Sequence, residues 1–249
     1  ASVMTFGAII RSVGLTVRFG GNAGTFGAGT AGVPGTGNTQ ITFAGQGAAT
    51  ILPFASLFGT NFAAYSATAN IGIINPTLTA ATTSAQFIAA NIVDQTANVT
   101  LTAGDKEVNG LRMSGAAIRD LLFTANTDTL YITSGGIISD ANGTFNRNIG
   151  VARAANSIGG RLTAGPLAGN AIPRELFLHN NANTMVINSM IVDNNGQAVT
   201  VVKDLDGSVT LAPSMSVTAT WTSGTNSITV ADTSGLLVGQ PIIGITNGS

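Results

Sequence analysis

Eleven carboxylates, one histidine and no cysteine make up the reactive side chains of this 249-residue chain. Two carboxylates facing each other across a sugar linkage cleave it, one as acid and one as nucleophile or base. A glycan-active enzyme would therefore have to draw on Asp94, Asp105, Glu107, Asp120, Asp128, Asp140, Glu175, Asp193, Asp204, Asp206 and Asp232. Most of these stand beside Gly or Asn at turns, where a carboxylate caps local backbone donors. His179, in LFLHNN, could join a Ser-His-Asp triad on paper. No G-x-S-x-G accompanies it, so the pattern favours a turn or partly buried histidine. Asp204-x-Asp206-Gly207 opens like a calcium loop but lacks the later Glu. One His without Cys does not readily gather a zinc set. The Gly-rich stretch 20–38 carries no GK[ST] and no GxGxxG followed by a helix pattern, so it reads as a long surface loop and not a phosphate cradle. The expectation is no catalytic, cofactor-binding or metal site, and no enzyme. Asn98-Val99-Thr100, Asn142-Gly143-Thr144 and Asn247-Gly248-Ser249 fit a glycosylation acceptor pattern, which chance explains in so Asn- and Thr-rich a chain.

The elements that would position these groups are strands. Val99 and Leu101 alternate with Thr100 and Thr102, Leu111 and Met113 with Arg112 and Ser114, Leu130 and Ile132 with Tyr131 and Thr133. Period two places one set of side chains on a buried face. Such runs recur over 97–140, each closed by Gly, Asn or Asp, with too little helix between them for a doubly wound fold. An all-β protein follows: a sandwich or jelly roll, a barrel, or strands coiled rung upon rung. Further strands are expected over 2–19, 40–43, 71–74, 86–93, 148–153, 161–163, 175–178, 184–192, 198–203 and 208–211. Ile51, Phe54, Phe58, Phe62 and Tyr65 recur at three or four residues, which fits a short helix or a strand pair laid over the end of the core. Turn spacing is uneven, so no fixed repeat length emerges. From 213 onward a small terminal β module is expected, with a hairpin signal at Ser223-Gly224-Thr225-Asn226.

Composition narrows the partners. Charged residues are 8% of the chain, against roughly 25% in typical domains. Net charge is −1, with 10 Lys and Arg against 11 Asp and Glu and no basic run, which speaks against nucleic acid. Mean hydropathy is +0.36, yet no apolar run approaches the roughly 20 residues of a membrane-spanning helix. The outer surface must be mostly Thr, Ser, Asn, Gln, Gly and small apolar groups, with little electrostatic protection against self-association.

NVTLTAG (98–104), VNGLRMSG (108–115) and DTLYITSGGIIS (128–139) resemble the rungs of autotransporter-associated β-strand repeat proteins. The run 202–211 resembles that group's K-x-G-x-G-T-L-T-L element, with Leu205 where Gly is usual and Val209 where Leu is usual. ILPFASLFGTNFAAY (51–65) is similar to a segment between repeats that ends N-G-x-D-F-A-x-Y, here with Asn61 in place of Asp. The resemblance spans roughly 40–212. It implies a right-handed parallel β-helix, export to the cell surface, and a structural or adhesive role, with no catalytic residues.

The expected organisation is then a β-solenoid over 1–212 and a terminal module over 213–249. Unpaired backbone groups at the ends of a coil invite another copy. Apolar termini and few gatekeeping charges point to a structural subunit that joins its own copies head to tail into a filament or sheath, exported and extracellular as the resemblance implies. The alternatives are a surface adhesin binding carbohydrate or host, which would show a ladder of exposed aromatics, and the glycan-active enzyme.

Overall fold

The computed structural model describes residues 2–20, 39–68, 71–140, 145–151, 159–168, 174–181, 184–212, 219–221 and 228–230. The expected Gly-rich loop at 20–38 lies outside the described residues, apart from Gly20. The protein is all-β, and the described residues contain one 3₁₀ turn, Ser84–Gln86, and no α-helix. Among the described residues no helix is long and apolar enough to cross a membrane.

Strands β1 (Ser2–Phe6), β2 (Val17–Phe19), β3 (Thr39–Phe43), β4 (Ala49–Leu57), β5 (Asn61–Ser66) and β6 (Gly72–Ile74) form a mixed sheet in the order β1-β3-β6-β5-β4-β2. The ambiguous aromatic segment is thus a strand pair, β4 against β5, antiparallel through a turn where Phe58 and Gly59 both have positive φ. Two register shifts interrupt this pairing. They break the period-two pattern and give the apolar residues their helix-like spacing.

The following strands are β7 (Thr79–Ala81), β8 (Ile92–Gln95), β9 (Val99–Thr100), β10 (Lys106–Met113), β11 (Arg119–Leu122), β12 (Thr129–Ser139), β13 (Arg147–Ile149), β14 (Arg161–Ala164), β15 (Arg174–Asn180), β16 (Thr184–Ile187), β17 (Met190–Ile191), β18 (Val199–Asp204) and β19 (Ser208–Leu211). Every pairing among them is parallel. The run 184–192, expected as one strand, is broken into β16 and β17. At the break Asn188 and Ser189 both donate their N–H to the Ile149 carbonyl.

Three ladders emerge from this pairing. One joins the first half of β10 to the first half of β12, then β14 and β17. The second joins β7, β8, the second halves of β10 and β12, β15 and β18. The third joins β9, β11, β13, β16 and β19. From β10 onward the chain visits the three in the same order on each pass. The bend between the halves of β12 falls at Gly135, whose φ is 87° and whose Cβ would stand 2.0 Å from the Glu175 carbonyl oxygen. Only glycine is accommodated there.

The core lies between the ladders. Leu121 sits over Val99, Ile149 over Leu121 and Ile187 over Ile149, all buried. Leu111, Ile137 and Leu178 continue Val93 in the same way across the second ladder, each at 0% exposure. Unequal connections between rungs explain why no fixed repeat was readable. Beyond residue 212, β20 (Ala219–Trp221) and β21 (Ile228–Val230) pair antiparallel, where the hairpin signal stood. The expectation of stacked strands from residue 1 meets instead the mixed sheet over residues 2–74.

Candidate functional site

Most of the described carboxylates join one rung to the next. Asp120 accepts from Asn98 Nδ2 on one side at 3.4 Å and from Asn148 Nδ2 on the other at 2.7 Å. Asp128 takes the Gly104 N–H and the Ala125 N–H, Asp105 takes the Thr129 N–H, and Glu107 takes the Thr133 hydroxyl. Asp94 is ion-paired with Arg112 at 2.7 Å and accepts from Ser114 at 2.6 Å. Glu175 is held by Arg11 and by the Gly14 N–H, and these bonds, the one from Arg11 first, lower its carboxyl below the ordinary 4.5. Asp193 and Asp206 are exposed, and Asp232 lies outside the described residues. Capping was legible in the sequence; the partner being on the adjacent rung was not.

Asp140 and Arg147 form the most buried ion pair. Arg147 is fully buried, its Nη2 2.8 Å from Asp140 Oδ1. The rest of the guanidinium donates to the carbonyls of Met113, Gly115 and Ala117, while Asp140 Oδ2 takes the Gly115 N–H. One arginine therefore closes a turn at 113–117 against the rung above. Nothing in the sequence singled it out, because its partners are backbone carbonyls.

The mixed sheet docks on the outer face of the second ladder. Ile51 of β4 and Phe62 of β5 pack with Ile92 and Ile138. Gly110 and Gly136 make the socket: a Cβ on Gly110 would meet Ile51 Cδ1 at 2.7 Å, and one on Gly136 would meet Phe62 Cε1 at 2.9 Å. Glycine inside an apolar strand is a signal for such close approach. Arg112 also donates to the Thr60 carbonyl across this junction at 2.9 Å.

His179, near the end of β15, lies in the same junction at 0% exposure, neither at a turn nor partly buried as expected. Its Nε2 is 2.7 Å from the Pro53 carbonyl oxygen and its Nδ1 3.1 Å from Asp204 Oδ2. With both nitrogens engaged by acceptors, neither is available as a base to a serine. Asp204 is thus turned to the histidine and away from a calcium-loop role. Among the described residues no three His, Asp or Glu side chains converge where a metal could sit.

An open cleft of about 530 Å³ runs along the junction between Ala49, Tyr65, Asn75, Pro76, Asn91 and Ile92, with no acidic or basic side chain on its walls. The Tyr65 hydroxyl is committed to the Phe43 backbone, donating to its carbonyl and accepting from its N–H. Among the residues whose side-chain burial is described, the exposed aromatics are Phe6 and Phe145, which do not form a ladder along one strand face. Compared with protein-family models, curated proteins and solved structures, the chain matches none.

Proposed function

We propose that this chain is an extracellular structural subunit that joins its own copies head to tail into a surface filament or sheath. In this reading the three ladders are the faces of a right-handed parallel β-helix of the autotransporter-associated kind, and residues 213–249 are a terminal β module. One observation carries it. The last strands of the ladders present apolar side chains in line with a buried core: Leu211 over Ile187 is 54% exposed, and Val201 over Leu176 is 38% exposed. The mixed sheet ends in β1, whose Val3, Met4 and Phe6 are exposed as well. Among the described residues no strand pairs with the far edge of β18 or β19; an unpaired edge is a template for another chain, and a contact of unlike surfaces that does not close makes a fibre. The described carboxylates, most of them engaged in rung-to-rung bonds, Glu175 held by Arg11, and Asp193 and Asp206 exposed singly, support a structural role over glycan cleavage.

Electron microscopy of the purified chain tests the proposal. Fibres or ordered arrays that lengthen with protein concentration are expected, and Leu211→Lys with Val201→Lys should shorten them. Single particles that stay monodisperse at high concentration would refute it.

A further inference from the structure

Histidine is the side chain whose charge changes near neutral pH, and the single histidine here is buried between two sheets. The Pro53 carbonyl oxygen can only accept, so Nε2 must donate to it. The Asp204 carboxyl is held below its ordinary 3.8, first by the bond to His179 and further by the Leu205 N–H and the Thr16 side chain, with burial opposing. An ionised carboxylate also only accepts, so Nδ1 must donate too. A neutral imidazole has one N–H; this site asks for two.

We propose that His179 is held as an imidazolium cation that clasps the mixed sheet to the parallel ladders, and that loss of one of its protons releases the clasp. The surroundings leave Asp204 as the charge it meets. Along β15 it neighbours the Phe177 ring, nearly parallel at 6.1 Å, and from β5 it meets the edge of Phe62 at 6.4 Å. From β12 its register partner is Ile138. The Arg11–Glu175 pair lies beyond Phe177, and the Arg112–Asp94 pair is further along the same face; each pair neutralises itself. When the ring loses a proton, one nitrogen turns a lone pair toward an oxygen lone pair. The negative charge of Asp204 keeps the remaining proton on Nδ1, so the tie from Nε2 to the Pro53 carbonyl of β4 is the one lost.

The test uses the full chain, in which one histidine gives one unambiguous set of ring signals. Long-range nitrogen–proton NMR at about pH 7 is expected to show protons on both ring nitrogens. Raising the pH until one leaves should lower amide protection in β4, corrected for intrinsic exchange, by about tenfold or more, while β11 and β13 keep theirs. H179Q should show the same loss in β4 at about pH 7. If H179Q does not fold, the wild-type titration decides alone. A ring carrying one proton at about pH 7, or β4 protection that does not change when the proton leaves, would overturn the proposal.

Discussion

Replacing Arg147 with Met removes a buried cation while keeping most of the side chain's volume. The guanidinium bonds Asp140 and the carbonyls of Met113, Gly115 and Ala117. The Met113 carbonyl keeps a second donor in the Asp140 N–H, so the loss falls on Gly115, Ala117 and the carboxylate. Simple addition of those bonds would overstate the effect, because the turn can relax and admit water. Breaking one side of a buried ion pair costs about 3 to 5 kcal/mol, and the fully buried arginine places R147M in that range. Urea unfolding with linear extrapolation measures it, with D140N and the double variant completing a cycle. The double variant should lose clearly less than the sum of the singles. A loss below about 1 kcal/mol for R147M would refute the reasoning, since it is the worth of an exposed pair.

Three further outcomes are expected. Gly110→Ala should destabilise by about 1 to 3 kcal/mol through overpacking against Ile51, and Ile51→Val in the same chain should recover part of that. Leu205 has a φ of 68°, so Leu205→Gly should raise the urea midpoint, worth about 1 kcal/mol. Glu175 and Asp204 both have lowered carboxyls, so the unfolded chain binds more protons than the folded one as acid is added. Their stabilisation is present above the ordinary 4.5 and 3.8 and is lost as pH falls through the lower folded values. Unfolding curves across that acid range should therefore steepen in pH dependence for the wild type and flatten for Glu175→Gln.

Alternation made the strands legible wherever one face is buried along the whole run, as at Val99, Leu111, Leu130 and Ile132. It failed where pairing is irregular. Around Ile51 to Tyr65 the register shifts disguised a hairpin, and over 86–93 a 3₁₀ turn capped by Thr83 delays the strand to Ile92. Leu205 stands where the resembled pattern has Gly, and the backbone there does take the left-handed conformation a glycine would favour. The junction was out of reach for a different reason. His179, Pro53 and Asp204 are far apart in the chain, and a carbonyl oxygen has no sequence signature. Only the glycines at 110 and 136, placed inside apolar strands, hinted that something approaches closely.

Oriented X-ray diffraction from aligned fibres of the full chain is the most direct test of growth by stacking. Strands in such a stack lie across its axis, so copies that extend the ladders should give a reflection near 4.8 Å along the fibre direction. The same reflection running across the fibre, or a chain that forms no fibres to align, would contradict the account.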